Sequence, residues 1–262
     1  MNYLKVATVA TSRPDQYIVY WTNKWLDIAS HNSPKGAVLV DVPLSVEDKH
    51  IIAELFALKF LLEDKEVIGP NLAGHKNIRL VVSSGAPKKL RGKRSDKTHL
   101  VKFASFLQTR FRDSPLKVED DLTWVRNGEV EPSDHLIASY DACVETVEML
   151  SLGRVVVSAH VVEQFATRLY EAKMTEHADR EARTPEAEHT PPNPVTMGEA
   201  WRTLRKMATS KDIKELELKT VGRLLKHRDE ARYFRHPSGW VFVVTFNQRE
   251  GHKLVTVHPR QR

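Results

Sequence analysis

Residues 231–260, ARYFRHPSGWVFVVTFNQREGHKLVTVHPR, decide the fold of the second half of this chain. The segment WVFVVTF within them is almost entirely apolar, which is typical of a central strand buried on both faces. The dipeptide Ser238-Gly239 precedes it and Gly251 follows it, and both are turn-forming positions. The stretch therefore predicts a three-stranded antiparallel sheet, with helices packed on one face.

The last strand of this sheet, KLVTVH, alternates between apolar and polar residues. Alternation places successive side chains on opposite faces of a strand. We expect one face to carry Leu254, Thr256 and His258, and the other Val255 and Val257.

The segment at 158–173, SAHVVEQFATRLYEAK, has the spacing of an amphipathic helix. Ser158 is a suitable N-cap, and a buried stripe is formed by Val161 or Val162, Phe165, Ala166 and Leu169. A neighbouring stripe repeats a polar side chain every four residues: His160, Gln164 and Arg168. These three side chains can face one ligand.

The first half alternates between strand and helix patterns. Three short strands are predicted within residues 4–44, followed by a helix over 45–64 that begins at a Ser45 cap. Further elements are a buried strand at 77–84, an amphipathic helix at 95–111, a strand at 116–125 and a closing helix at 133–150. A loop, KKLRGKR, is expected at 88–94.

The 262 residues and the 41% hydrophobic content allow a sizeable core and favour two domains. We predict an α+β protein with domains at 1–150 and 151–262, and a polar linker or insert at about 172–196.

The single cysteine, Cys143, excludes an internal disulfide and is expected to be a buried apolar residue. No apolar run reaches the roughly 18 residues of a membrane span, and no signal-peptide pattern is present, so we expect no membrane partner and a cytoplasmic location.

The net charge of +6 is concentrated in residues 151–262, which carry 20 Lys+Arg against 14 Asp+Glu and seven of the twelve histidines. The first 150 residues are balanced. A basic, histidine-rich half favours a polyanionic partner, and phosphate is the simplest such group. This pattern predicts nucleic acid, and RNA in particular, as the partner.

The order of elements in residues 1–150 resembles the ribonuclease H-like fold. AELFALKFLL looks like that family's first helix, where a catalytic glutamate stands, which would be Glu54. The chain departs from the family elsewhere. The first strand has no Asp, and Ser83, Ser84 or Gly85 replaces the Asp that follows the fourth.

Only Asp134 or Asp141 remains as a final carboxylate, and Asp41 does not replace the first-strand ligand. A two-metal site needs more carboxylates. The resemblance therefore implies a domain that binds or positions nucleic acid and does not cut it. The alternative for Glu54 itself is a solvated helix residue.

Residues 154–260 resemble the small ribonuclease toxins of the RelE/ParE-like kind, on the helix with His160 and Arg168 and on the terminal VTV strand. The resemblance implies RNA cleavage without metal, in which histidines exchange protons and arginines bind phosphate. The expected catalytic residues are His160 and His258 as the acid–base pair, with Arg168 and Arg235 as phosphate clamps.

Nucleic-acid binding is expected at a wider set of residues: Lys88, Lys89, Arg91, Lys93, Arg94, His236, Lys253 and Thr256. No cofactor and no metal site is predicted. The leading hypothesis is a metal-independent endoribonuclease of the toxin type, acting on tRNA, mRNA or the ribosome, with an inhibitory protein as a further partner. The alternative is a non-catalytic nucleic-acid- or ribosome-binding protein of phage or plasmid origin.

Overall fold

The structure is a computed structural model, described here over residues 2–25, 34–69, 78–126, 130–184, 190–217 and 231–259. The chain divides into two compact units, Met1–Val144 and Glu145–Arg262. Each unit combines helices with a six-stranded sheet. The predicted α+β class is confirmed.

The first unit consists of one sheet and the helices connected to it. Its strands are β1 (Asn2–Ala10), β2 (Gln16–Trp25), β3 (Lys35–Asp41), β4 (Ile78–Val82), β5 (Leu116–Val118) and β6 (Pro132–Ile137). Its α-helices are α1 (Lys49–Glu63), α2 (Ala86–Arg91), α3 (Ser105–Gln108) and α4 (Thr123–Arg126). The sheet order is β5-β4-β1-β2-β3-β6, with β1, β2 and β3 antiparallel and β4, β5 and β6 parallel to their neighbours.

Helix α1 covers one face of this sheet because its apolar residues recur at helical spacing. Its predicted core positions are all buried: Ile51, Leu55, Leu58 and Leu62. The helix begins at Lys49 with Asp48 as N-cap, and not at Ser45 as predicted. Asp48 adopts a left-handed backbone conformation, and its carboxylate binds Lys97 and His99 instead of capping the helix.

Two further predictions for this unit, the loop at 88–94 and the strand at 116–125, were wrong in detail. The first four residues of KKLRGKR belong to α2, because Pro87 is accommodated in the first turn of that helix, and only residues 92–94 lie outside it. Residues 116–125 form a strand only over β5, and residues from Thr123 turn into α4.

The helix predicted at 95–111 consists of 3₁₀ turns at Thr98–Leu100 and Lys102–Ala104, followed by α3. A 3₁₀ turn aligns residues three apart, which here brings Leu100, Phe103 and Phe106 to the same side. All three side chains are fully buried.

The predicted closing helix at 133–150 was also wrong. Residues Pro132–Ile137 form β6 at the edge of the sheet, and residues 146–149 form the first strand of the second unit. The deciding pattern is alternation: Val147 and Met149 are buried while Glu148 between them is exposed. Such a period of two favours a strand over a helix.

The second unit is built on β7 (Thr146–Met149), β8 (Gly153–Val157), β9 (Lys214–Glu215), β10 (Ala231–Arg235), β11 (Val241–Asn247) and β12 (Gly251–His258). The sheet order is β7-β8-β12-β11-β10-β9, and only the β8–β12 pair is parallel. The predicted three-stranded meander is therefore the centre of a larger mixed sheet. Helices α5 (Ala159–Arg183) and α6 (Met197–Ala208) complete the unit.

Strand β11 is buried on both faces, as predicted. Phe242 and Val244 belong to the core that packs against α5 and α6, whereas Val241 and Val243 belong to a separate cluster on the other face. Glycines with positive φ, Gly239 at 92° and Gly251 at 73°, form the predicted turns.

The alternation predicted for β12 is broken by a bulge. Val243 is opposite Thr256, but Val244 is opposite Leu254, so Val255 is an extra residue on β12. In consequence Leu254 and Val257 both enter the helix-facing core, although they are three residues apart.

Helix α5 is longer than predicted, because residues 172–183 of the expected linker continue it as far as Arg183. Its Ser158 cap is confirmed by the hydrogen bond that the Val161 N–H donates to the Ser158 hydroxyl. The sequence at 212–230 has a helical pattern, with an alternating stretch at 215–219 that is compatible with a strand. Its start forms β9, and residues 218–230 lie outside the described residues.

Cys143 is fully buried, as predicted, although it lies in a 3₁₀ turn and not in an α-helix. None of the helices in the described ranges combines the length and the apolar character that a membrane crossing requires.

Gly36 is needed where the first sheet is most tightly packed. A Cβ atom at Gly36 would lie 2.6 Å from Nε1 of Trp21, its partner on β2. We predict that Gly36→Ala lowers the free energy of unfolding by about 1–3 kcal/mol, because the indole must move. Gly85→Ala is the control, since a Cβ there has no neighbour within 4 Å. Urea unfolding followed by circular dichroism measures both, and equal stability of the two variants would contradict the prediction.

Candidate functional site

Glu54 is a buried carboxyl group on the inner face of α1, only 1% exposed. The Ser83 N–H donates a hydrogen bond of 2.6 Å to Oε1, and the Ser83 hydroxyl donates one of 2.7 Å to Oε2. Burial raises the pKa of Glu54 to about 7, while the two hydrogen bonds from Ser83 oppose that rise. Glu54 is thus not the solvated residue that was the alternative, and near neutral pH a large fraction of it is uncharged.

Two other carboxylates considered for a metal site, Asp134 and Asp41, are engaged elsewhere. Asp134 lies on β6 and binds Lys65 at 2.6 Å. Asp41 accepts hydrogen bonds from Gln16 and His135, which lower its pKa. Over the ranges that the structure describes, no group of three or more His, Cys, Asp or Glu residues could hold a metal ion.

The first strand has no aspartate, but it carries a buried lysine, Lys5. Lys5 lies between the core residues Leu4 and Val6, so its side chain is on the face of the sheet opposite α1. It forms an ion pair with Glu119, and its ammonium lies 5.1 Å from the ring centroid of Trp124. The hydrogen bond from Lys5 holds the pKa of Glu119 below its usual value.

A basic cluster surrounds α2. Its exposed members are Lys88, Lys89, Lys93 and Arg94. Arg91 is half-buried and donates to the Ser114 carbonyl. Lys88, Lys89 and Arg94 have no ion-pair partner among the described residues, so their charges face solvent.

The structure places a second basic group at one end of the sheet in the second unit. Arg235 on β10 is opposite Lys214 on β9 and Val241 on β11, and Val241 is in turn opposite His258 on β12. Residues directly opposite one another share a face. We call Lys214, Arg235 and His258 the basic row.

The basic row lies on the face opposite the helices, because Val241 belongs to the cluster on that face. Two strand spacings separate Arg235 from His258, roughly 10 Å between backbones.

The polar stripe of α5 reaches the same strand from its edge. Strand β8 pairs with β12 only over His252–Leu254, so the following residues of β12 are adjacent to α5. Nη1 of Arg168 donates to the Thr256 hydroxyl and to the Val257 carbonyl, each at 2.6 Å. The Thr256 hydroxyl is also 3.4 Å from Oε1 of Gln164.

His160 extends this chain of contacts to solvent. Its Nε2 is 2.9 Å from Nε2 of Gln164, and its ring is exposed. Gln164 and Thr256 therefore link His160 to Arg168. Arg168 is also tethered to the backbone of β12, so it helps to hold the strand end in place.

Two residues of the predicted binding set have local partners. His236 lies in the β10–β11 turn with its Nδ1 2.6 Å from the Ser238 hydroxyl. Lys253 forms an ion pair with Glu250 at 3.1 Å.

Sequence reasoning missed Lys214, because its segment is compatible with either a helix or a strand, and only strand pairing places it beside Arg235. It also missed Lys5, whose single position within an apolar strand gives no signal of its ion pair.

Comparisons with known proteins found no matching family model and no matching curated protein. Two solved structures are similar. RNase H1 from the halophilic archaeon Halobacterium salinarum NRC-1 is 16% identical, with 52% of this chain and 83% of that chain covered and a TM-score of 0.31. LC11-RNase H1 in complex with an RNA/DNA hybrid is 15% identical, with 45% and 83% covered and a TM-score of 0.32.

Since both TM-scores lie below 0.5, neither similarity supports a conclusion about function. Neither structure is a RelE- or ParE-like protein, so that resemblance stays a prediction.

The raised pKa of Glu54 predicts a specific pH dependence of stability. Since the pKa in the folded state, about 7, exceeds the ordinary value of 4.5, folding favours the protonated carboxyl. The stabilisation is fully present below about pH 4.5 and is lost as the pH rises through 7, up to roughly 3 kcal/mol. Glu54→Gln keeps the shape and a neutral group at every pH, so we expect it to abolish this decline.

Urea unfolding at a series of pH values compares wild type, Glu54→Gln and the exposed-residue control Glu47→Gln. The control should follow wild type. A wild-type decline that persists in Glu54→Gln would show that another group causes it.

Proposed function

We propose that this chain is a nucleic-acid-binding protein that contacts the phosphate backbone through the basic cluster on α2. One observation carries the proposal: Lys88, Lys89 and Arg94 are exposed and lack acidic partners among the described residues. Cations that are not neutralised within the protein are free to displace counterions from a phosphate backbone.

The helix that presents these cations is firmly anchored. Pro87 and Leu90 are buried, and the Leu90 carbonyl accepts a hydrogen bond of 2.7 Å from the buried Gln108 side chain. Arg91 is bonded to the Ser114 carbonyl on the same side. The apolar positions and Arg91 hold α2 in place, so little backbone ordering is required when the exposed lysines bind.

The rest of the first unit supports binding over metal-dependent cleavage. Ser83, Ser84 or Gly85 replaces the aspartate that the family resemblance calls for, and Ser83 donates one hydrogen bond to each oxygen of Glu54. Lys5 adds a positive charge to the strand that would supply another metal ligand. Phosphate binding by cations requires none of the carboxylates of a metal site. RNA, as tRNA, mRNA or within the ribosome, is the partner that we propose.

The proposal is tested by the salt dependence of binding. Replacing Lys88, Lys89 and Arg94 together by Gln should weaken RNA binding and reduce the slope of log K against log salt by up to about 2–3, because each lost phosphate contact contributes about 0.7–0.9. Fluorescence anisotropy with labelled RNA at several salt concentrations measures the slope.

The matched control replaces three other exposed cations of the first unit by Gln: Lys35, Arg79 and Lys102. It removes the same net charge without touching α2. An equal loss in both variants would assign the effect to net charge alone. Absence of wild-type binding at low salt would overturn the proposal.

A second candidate function is favoured by the basic row together with the chain of contacts from His160 to Arg168. This function is RNA cleavage without metal. In it, one histidine removes the proton of a 2′-hydroxyl, whose oxygen attacks the adjacent phosphorus. The bond to the 5′-oxygen breaks, and the second histidine protonates that oxygen, leaving a cyclic phosphate. His160 and His258 are the proposed pair.

Arg235 and Lys214 would bind the phosphate oxygens, whose charge increases in the transition state. Arg168 would act as a positioning residue, since its Nη1 is already bonded to Thr256 and Val257. Thr256 and Gln164 would hold His160 near the strand end.

This function predicts cleavage of RNA in the presence of EDTA. Removing a proton-transfer group costs about 10²–10⁴-fold in rate, so His258→Ala and His160→Ala should each lose at least about 100-fold. The control is His50→Ala, an exposed histidine of the first unit. Electrophoresis of labelled RNA measures the rates. Intact RNA at high protein concentration would eliminate the cleavage hypothesis and leave RNA binding in place.

A further inference from the structure

The hairpin between β11 and β12 carries an aromatic side chain in an unusual environment. Phe246 is 63% exposed, whereas the other phenylalanines of the second unit are fully buried: Phe165, Phe234 and Phe242. A single exposed apolar residue is ordinary on a protein surface. The residues around Phe246 distinguish it from such an ordinary exposed residue.

Phe246 is held in place by the residue opposite it. It pairs with His252 on β12, and the two ring centroids are 5.3 Å apart with an interplanar angle of 65°. Such an edge-type contact fixes an aromatic ring without covering both of its faces. The two rings lie on the helix-facing side of the sheet, because Val155, opposite His252 on β8, belongs to that core.

The turn beside Phe246 is structured and charged. The Arg249 N–H donates a hydrogen bond of 2.8 Å to Oδ1 of Asn247. The Arg249 side chain is exposed and has no ion-pair partner among the described residues. An open ring and an unpaired guanidinium are thus only three residues apart at one hydrogen-bonded turn.

We propose that this hairpin is a stacking platform for an unpaired base of single-stranded nucleic acid, with Phe246 beneath the base and Arg249 at the adjacent phosphate. This inference rests on the proposed function and adds the class of substrate. Every base has a π face, so stacking on an aromatic ring needs no particular sequence. Bases in a duplex are already stacked on one another and are not available to the ring.

The surroundings favour nucleic acid over a protein partner. A protein-docking surface has a contiguous apolar patch at its centre. The residues that follow Phe246 are instead polar and exposed: Asn247, Gln248, Arg249 and Glu250. A flat ring beside a cation is complementary to a base and its phosphate.

The test compares Phe246→Ala with Phe246→Trp in binding to a short oligouridine and to a duplex of equal length. Loss of one stacked base should weaken single-strand binding by Phe246→Ala about 5- to 150-fold. The salt slope should stay unchanged, because no charge is lost. Phe246→Trp should retain the affinity, and duplex binding should change little in either variant.

The control is Leu150→Ala, which removes another exposed apolar side chain of the same unit. A single-stranded oligonucleotide with 2-aminopurine adds a direct readout, since stacking quenches its fluorescence with wild type and not with Phe246→Ala. Wild-type affinity in Phe246→Ala, or equal weakening for single strand and duplex, would overturn the platform alone. Absence of any wild-type binding at low salt would overturn the proposed function as well.

Discussion

The pairing of β11 with β12 is the constraint on which the candidate chemistry of the second unit depends. Because Val241 lies between Arg235 and His258, two side chains 23 positions apart in sequence lie in one row on one face. The same pairing places Phe246 opposite His252 at the other end of the hairpin. The bulge at Val255 adds a twist to the strand. Beyond β8, the end of β12 is bordered by α5, and Arg168 bonds to it there.

In the first unit, the corresponding constraint is that buried charged groups must be neutralised. Glu54 is buried near a serine, and Lys5 is buried beside Glu119. Leaving a charge in such surroundings without a partner would be costly, so each group is either paired or shifted toward its neutral form. Lys88, Lys89 and Arg94 around α2 differ because they are exposed and no acid among the described residues pairs with them. In the first unit, buried charges are thus neutralised, whereas the exposed charges of Lys88, Lys89 and Arg94 form a local positive patch.

Several elements could be predicted because their signal is local. The apolar run in β11 and the cap of α5 at Ser158 depend on neighbours a few residues away, and both are confirmed. The closing helix at 133–150 was wrong because the alternation of Val147, Glu148 and Met149 covers only four residues. So short a pattern is easily read as part of a helix. The loop assigned to 88–94 was wrong over residues 88–91, because Pro87 can begin a helix.

The candidate site shows the same division between local and distant information. The sequence by itself determined the α+β class, the polar stripe on α5 and the types of residue suited to phosphate, since periodicity and charge are properties of short segments. Only the tertiary structure decided that Lys214 joins Arg235, that Ser83 meets Glu54 and that Arg168 reaches Thr256. These contacts join residues 21 to 88 positions apart, and their existence depends on strand order and on the packing of helices against sheets.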